Sequence, residues 1–202
     1  MKKGVKITGL IVLIVALIIG ALFFLDKYKD NNSVQGDNEF ISPDEQTEYV
    51  GESTTLLHKD FKAVIKKDWQ EFEITPSMYF YFPPNTAEED VNAEVIYIAI
   101  TPLGKDSNFT LDTLLEQGIE NSKSIMPDFE LTENIDKTDS EVFERKIKFT
   151  GTQEGVKRDN VQVFGIRYNN IYSVTYSCPI DNCNNYAVYN GLVESFEAIE
   201  AK

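Results

Sequence analysis

Residues 7–25, ITGLIVLIVALIIGALFFL, run for nineteen positions without a charged side chain. No other feature constrains the chain as strongly. As an α-helix rising 1.5 Å per residue the run extends about 28 Å, close to the hydrocarbon thickness of a bilayer. A cleaved signal peptide would end a shorter apolar core at a small-residue site, whereas Ile19-Gly20-Ala21 is followed by Leu22-Phe23-Phe24-Leu25. No cysteine follows directly, so a lipid-modified cysteine is excluded, and a pilin-type cut after Gly4 would leave Lys6 inside the assembling helix. The expectation is an uncleaved single-pass anchor with the lipid bilayer as partner.

Orientation follows from the flanking cations. Lys2, Lys3, Lys6 and the amino terminus precede the run, against Lys27 and Lys29 after it. The bias places the amino terminus in the cytoplasm and the rest of the chain outside the cell membrane. Net charge is −14, or −17 once the three leading lysines are set aside. Such acidity disfavours nucleic acid and anionic lipid as partners of the exported part. The 13 Phe and 10 Tyr supply material for a substantial core.

Three regions are expected: 1–25, the cytoplasmic tip and anchor; 26–56, a tether; and 57–202, a folded domain. The tether is rich in Asp, Asn, Glu, Gln, Ser and Thr and offers little apolar surface to offset chain entropy. Beyond it, Phe61, Ala63 and Ile65 alternate with Lys62 and Lys66, the pattern of a half-exposed strand. The stretch 72–82 is interrupted by Pro76, so it reads as an edge strand, a broken strand or two short ones. Residues 94–101, EVIYIAIT, read as a strand covered on both faces.

Residues 110–126 carry Leu111, Leu114, Leu115, Gly118, Ile119 and Ser122 as one helical stripe, with Thr110 as N-cap, Phe109 as a staple and Pro127 closing the far end. Strands are expected at 129–131 and 142–150, the latter with Phe143, Ile147 and Phe149 on one face. Residues 150–160 read as a polar hairpin loop. The strands 161–168 and 171–177 then pair across an Asn169-Asn170 turn that sets Tyr168 opposite Ile171. One face of this hairpin holds Val161, Val163, Gly165, Tyr172, Val174 and Tyr176; the other mixes Phe164, Ile166 and Ile171 with Ser173, Thr175 and Ser177. Residues 185–199 read as a second amphipathic helix.

The two cysteines, Cys178 and Cys183 in CPIDNC, lack the further ligands of a structural zinc site, and His58 is the sole histidine. Four intervening residues do not match the two of a thioredoxin-like pair. In an exported domain they are expected to form a disulfide joining the second hairpin strand to the terminal helix. Asn31 and Asn108 stand in glycosylation sequons, a pattern common by chance.

The order of elements, with Phe61 to Trp69 as a strand and turn, the helix start LDTLL at 111–115, the strand YSVTY at 172–176 and LVESFEAI at 192–199, resembles the PsbP-like family. Lys66 stands where the family pattern F-x-I-x-Y-P-x-x-W has proline. The resemblance implies an α+β fold, a mostly antiparallel sheet with helices on both faces, shared with the eukaryotic Ran-binding nuclear import factor. It also implies an accessory role: photosynthetic members help photosystem II retain its inorganic cofactors, and prokaryotic relatives are often membrane-anchored. No metal-site residue transfers by motif.

The chain has no Gly-rich phosphate loop, HExxH or GxSxG. No catalytic, cofactor-binding or metal-binding residue is assigned, and the expected role is a non-catalytic binding or accessory module with a protein partner at the cell envelope. Two alternatives remain. One is an envelope hydrolase using paired carboxylates, which 33 acidic residues would supply by accident. The other is divalent-cation binding in the acidic loops 86–90 and 181–185, neither with EF-hand spacing.

Overall fold

A computed structural model describes residues 51–200 apart from 87–89, 105–108, 127, 137 and 139. The expected anchor, most of the tether, Asn31, Asn108 and Pro127 lie outside the described residues. Among the described residues no helix is long and apolar enough to cross a membrane.

Among the described residues, ten strands and two helices follow in the order β1 (Ser53–Leu57), β2 (Phe61–Lys66), β3 (Gln70–Thr75), β4 (Met78–Phe82), β5 (Val95–Pro102), α1 (Leu111–Ile125), β6 (Glu130–Ile135), β7 (Arg145–Gln153), β8 (Val156–Arg167), β9 (Asn170–Pro179), α2 (Tyr186–Glu194) and β10 (Glu197–Ala198). Seven strands form an antiparallel sheet in the order β3-β4-β5-β9-β8-β7-β6, and β1-β2-β10 form a small second sheet. On one face of the large sheet, Ile96, Ile98, Val161, Val163, Tyr172, Val174 and Tyr176 meet Phe61, Ala63 and Ile65 of β2 and Tyr186, Tyr189 and Leu192 of α2. On the other, α1 lays Leu115 over Ile147, Phe149 and Phe164, and Leu114 against Ile171. The architecture is the expected mostly antiparallel α+β sandwich.

Several local expectations hold for the anticipated reasons. Pro76 separates β3 from β4. Thr110 caps α1: its hydroxyl accepts from Thr113 N, and the Thr113 side chain returns a bond to the Thr110 N–H. The turn after β2 closes without the family's proline, because Trp69 N donates to Lys66 O at 3.1 Å and the indole is buried.

Other expectations need correction. β1 starts at Ser53, inside the stretch read as tether, because its backbone pairs with β2 although its side chains are mostly exposed. The strand expected at 142–150 begins only at Arg145; Phe143 precedes it and packs in the main core, on the opposite face from Ile147 and Phe149. The loop expected at 150–160 is mostly ladder, turning on Glu154 and Gly155 alone, both at positive φ. The next turn is Tyr168-Asn169, both left-handed, so Ile166 rather than Tyr168 faces Ile171. A two-residue slip preserves side-chain parity, so the two hairpin faces keep their expected residues. The terminal helix stops at Glu194, and Glu197–Ala198 joins β2 as a strand.

Candidate binding groove and its polar floor

The α1 side of the large sheet is only partly covered by its helix. Strands β3 to β5 turn Phe72, Phe80, Phe82, Val95 and Tyr97 to this side, where they form an apolar cluster that includes no helix residue. Between this cluster and the Leu114, Leu115 and Ile119 edge of α1 lies a groove enclosing about 150 Å³. Its floor is supplied by alternate residues of β8 and β9: Arg158, Asn160 and Gln162 on one strand, Ser173 and Ser177 on the other.

Arg158 is 6% exposed. Its Nε donates to Ser177 Oγ at 2.8 Å, Nη1 to Val91 O at 2.9 Å, and Nη2 to Ala93 O at 2.7 Å and Ser177 O at 3.1 Å. These acceptors are neutral, and among the described residues no carboxylate lies within ion-pairing distance of the guanidinium. Burial pulls the Arg158 pKa down, opposed by the nearby Tyr97, Tyr176, Glu94 and Asp90. Burial pushes the Tyr97 phenol up, offset in part by Thr175 and by Arg158.

Beneath this floor, on the other face, the Glu94 carboxylate is buried at the start of α2. Asn184 N donates to Oε1 at 3.0 Å, Asn185 N to Oε2 at 2.9 Å, and the Tyr176 hydroxyl also donates to Oε2. Burial and the neighbouring Glu94 push the Tyr176 phenol well up, so it stays a donor. The N-cap residue Asn185 makes no side-chain cap of its own, and Glu94 supplies the acceptors instead.

The sulfurs of Cys178 and Cys183 are 1.99 Å apart, at disulfide distance, between the end of β9 and the start of α2. His58 lies on the core side: its ring stacks on Phe61 at 4.6 Å between centroids, and Nε2 is 3.6 Å from Glu71 Oε2 and 3.5 Å from the Tyr81 hydroxyl. The carboxylates of Asp112 and Asp136 converge on Arg145, at 2.7 and 3.4 Å, and both are exposed. Among the described residues no three His, Cys, Asp or Glu side chains cluster as a metal site.

Sequence reasoning missed Arg158 and Asn160 because they fell in the stretch read as loop. The available signal was the two-residue period of Arg158, Asn160, Gln162 and Phe164, which runs unbroken into the recognised strand.

No family model matches the chain, and no curated protein matches it by sequence. Solved structures do. The cyanobacterial PsbP of Synechocystis sp. PCC 6803 superposes with a TM-score of 0.56 at 8% identity, covering 75% of this chain and 95% of that one. The chain has the PsbP-like fold. Mog1p, the Ran-binding protein of Saccharomyces cerevisiae, matches with a TM-score of 0.52 at 10% identity, covering 75% of this chain and 97% of that one. At such identities the PsbP-like likeness speaks for the fold alone.

Proposed function

We propose that this chain is a non-catalytic binding or accessory module, anchored by residues 7–25 and facing outward to support a membrane or envelope complex through a protein partner. The observation that carries the reading is the groove beside α1. Its apolar walls and its floor of a guanidinium, two amides and hydroxyls are groups that recognise a ligand rather than cleave one. The one histidine lies on the opposite face against Phe61 and Tyr79, and the converging carboxylates Asp112 and Asp136 are engaged by Arg145. The PsbP-like fold also serves as a binding scaffold in Mog1p, described as Ran-binding. The excess of basic residues before the anchor supports outward placement.

The test is capture of cross-linked partners from native membranes using the full chain as bait. A defined complex, weakened when Gly118→Leu fills the groove, is the expected result. Turnover of envelope glycans by the chain, with no reproducible partner, would contradict it.

A further inference from the structure

Among the described residues, β1 and β10 end the small sheet and β3 and β6 end the large one. A sheet edge is a row of open backbone donors and acceptors, and folded proteins ordinarily blunt it. β3 carries Glu71 and Glu73 and a shift in register; β6 carries Glu130 and Glu133 and a shift of its own. β10 is two residues long. β1, Ser53-Thr54-Thr55-Leu56-Leu57, has none of these devices: no charge, no proline and an unbroken register against β2. All of it except Leu56 is exposed, Leu57 to 73%.

The ladder decides which groups face outward. Lys67 N donates to Glu52 O and His58 N to Phe61 O, both at 2.9 Å, so Glu52 and His58 are hydrogen-bonded positions against β2. Such positions alternate along an antiparallel pair. Thr54 and Leu56 therefore also bond β2, while Ser53, Thr55 and Leu57 turn their N–H and C=O groups to the open edge. These residues lie symmetrically about Thr55, so a second β1 can meet them antiparallel. Ser53 then faces Leu57 of the second copy, Thr55 faces its own equivalent, and every outward group finds a partner.

Charge favours the same pairing. Two copies of β3 or of β6 would crowd glutamates together, whereas β1 brings no like charges into opposition and sets Thr against Thr across the dyad. It also places Glu52 opposite His58 of the second copy and next to Lys59 of that copy; Glu52 and Lys59 are both exposed. We infer that the protein pairs with a second copy of itself through β1, extending the small sheet across a twofold axis. The inference goes beyond the accessory role and stands apart from the groove.

The experiment is oxidative cross-linking of the full chain in detergent micelles, with one cysteine added at a time and each bridge mapped by mass spectrometry. Thr55→Cys should give a covalent dimer, because Cα atoms of a hydrogen-bonded pair lie about 5.5 Å apart, within disulfide reach. Ser53→Cys alone should give no more dimer than Glu130→Cys on the β6 edge, since the two Ser53 positions stand about 14 Å apart along the strands. Ser53→Cys mixed with Leu57→Cys should cross-link again. Adding Thr55→Lys to that mixture sets two ammonium groups across the dyad and should cut the yield about 5-fold. Equal yields at 53, 55 and 130 would reveal collision rather than pairing and overturn the inference. So would no dimer from Thr55→Cys, as expected if residues upstream of Gly51 cover the edge, or a mixed yield unmoved by Thr55→Lys.

Discussion

At the scale of single residues, two positions carry sharp expectations. The exposed Asp128 carboxylate accepts Thr152 N at 2.8 Å and Thr152 Oγ1 at 2.7 Å, and these bonds hold its pKa below the ordinary 3.8. A depressed carboxylate contributes stability that is fully present above its unfolded value and is lost as pH falls through the folded one. Melting temperatures of the wild type and Asp128→Asn should therefore differ at neutral pH and converge in acid below 3.8. A gap independent of pH would contradict this. Gly165 is the second position. A Cβ there would sit 2.1 Å from Val142 O, where the segment before β7 crosses β8. Gly165→Ala should cost about 2 kcal/mol or more in urea unfolding, as overpacking does; a change below about 0.5 kcal/mol, the scale of a neutral surface substitution, would be the wrong result.

At the scale of elements, α2 is only nine residues long and lacks its own side-chain cap, so its position depends on Glu94, the residue just before strand β5. Glu94→Ala strips acceptors from two backbone N–H groups and from buried Tyr176. It should cost about 3 kcal/mol, with Glu94→Gln losing less because one acceptor remains. Equal unfolding midpoints for the two variants would contradict that difference. This cap was not legible in the sequence, since Glu94 and Asn185 are far apart in the chain and only folding brings them together. What periodicity encodes was legible: both helices, the Pro76 break and the two faces of the β8–β9 hairpin. Exact register was not, because Asn169-Asn170 looks the better turn until Leu103 is seen holding Asn169, with Leu103 N donating to Asn169 O at 2.8 Å and Asn169 Nδ2 to Leu103 O at 2.6 Å. The groove floor was half legible. Ser173, Thr175 and Ser177 were placed on the correct face, but Arg158 was hidden by reading a charged, Gly-containing stretch as loop.

At the scale of the molecule, strand pairing begins at Ser53, ahead of residue 57. A fragment starting at 51 retains the β1–β2 ladder and should unfold cooperatively, whereas one starting at 58 exposes the backbone edge of β2 and should melt several degrees lower. Identical melting points would mean that β1 adds nothing. The Cys178–Cys183 pair should appear by mass spectrometry of the unreduced chain as a bridged peptide, whereas full alkylation without reductant would weaken an oxidising location. The proposed placement of the folded domain outside the membrane is tested most directly by adding protease to intact protoplasts. Removal of the folded domain, leaving only the apolar amino-terminal segment, is the predicted result; full protection of the domain until the membrane is broken would contradict the account.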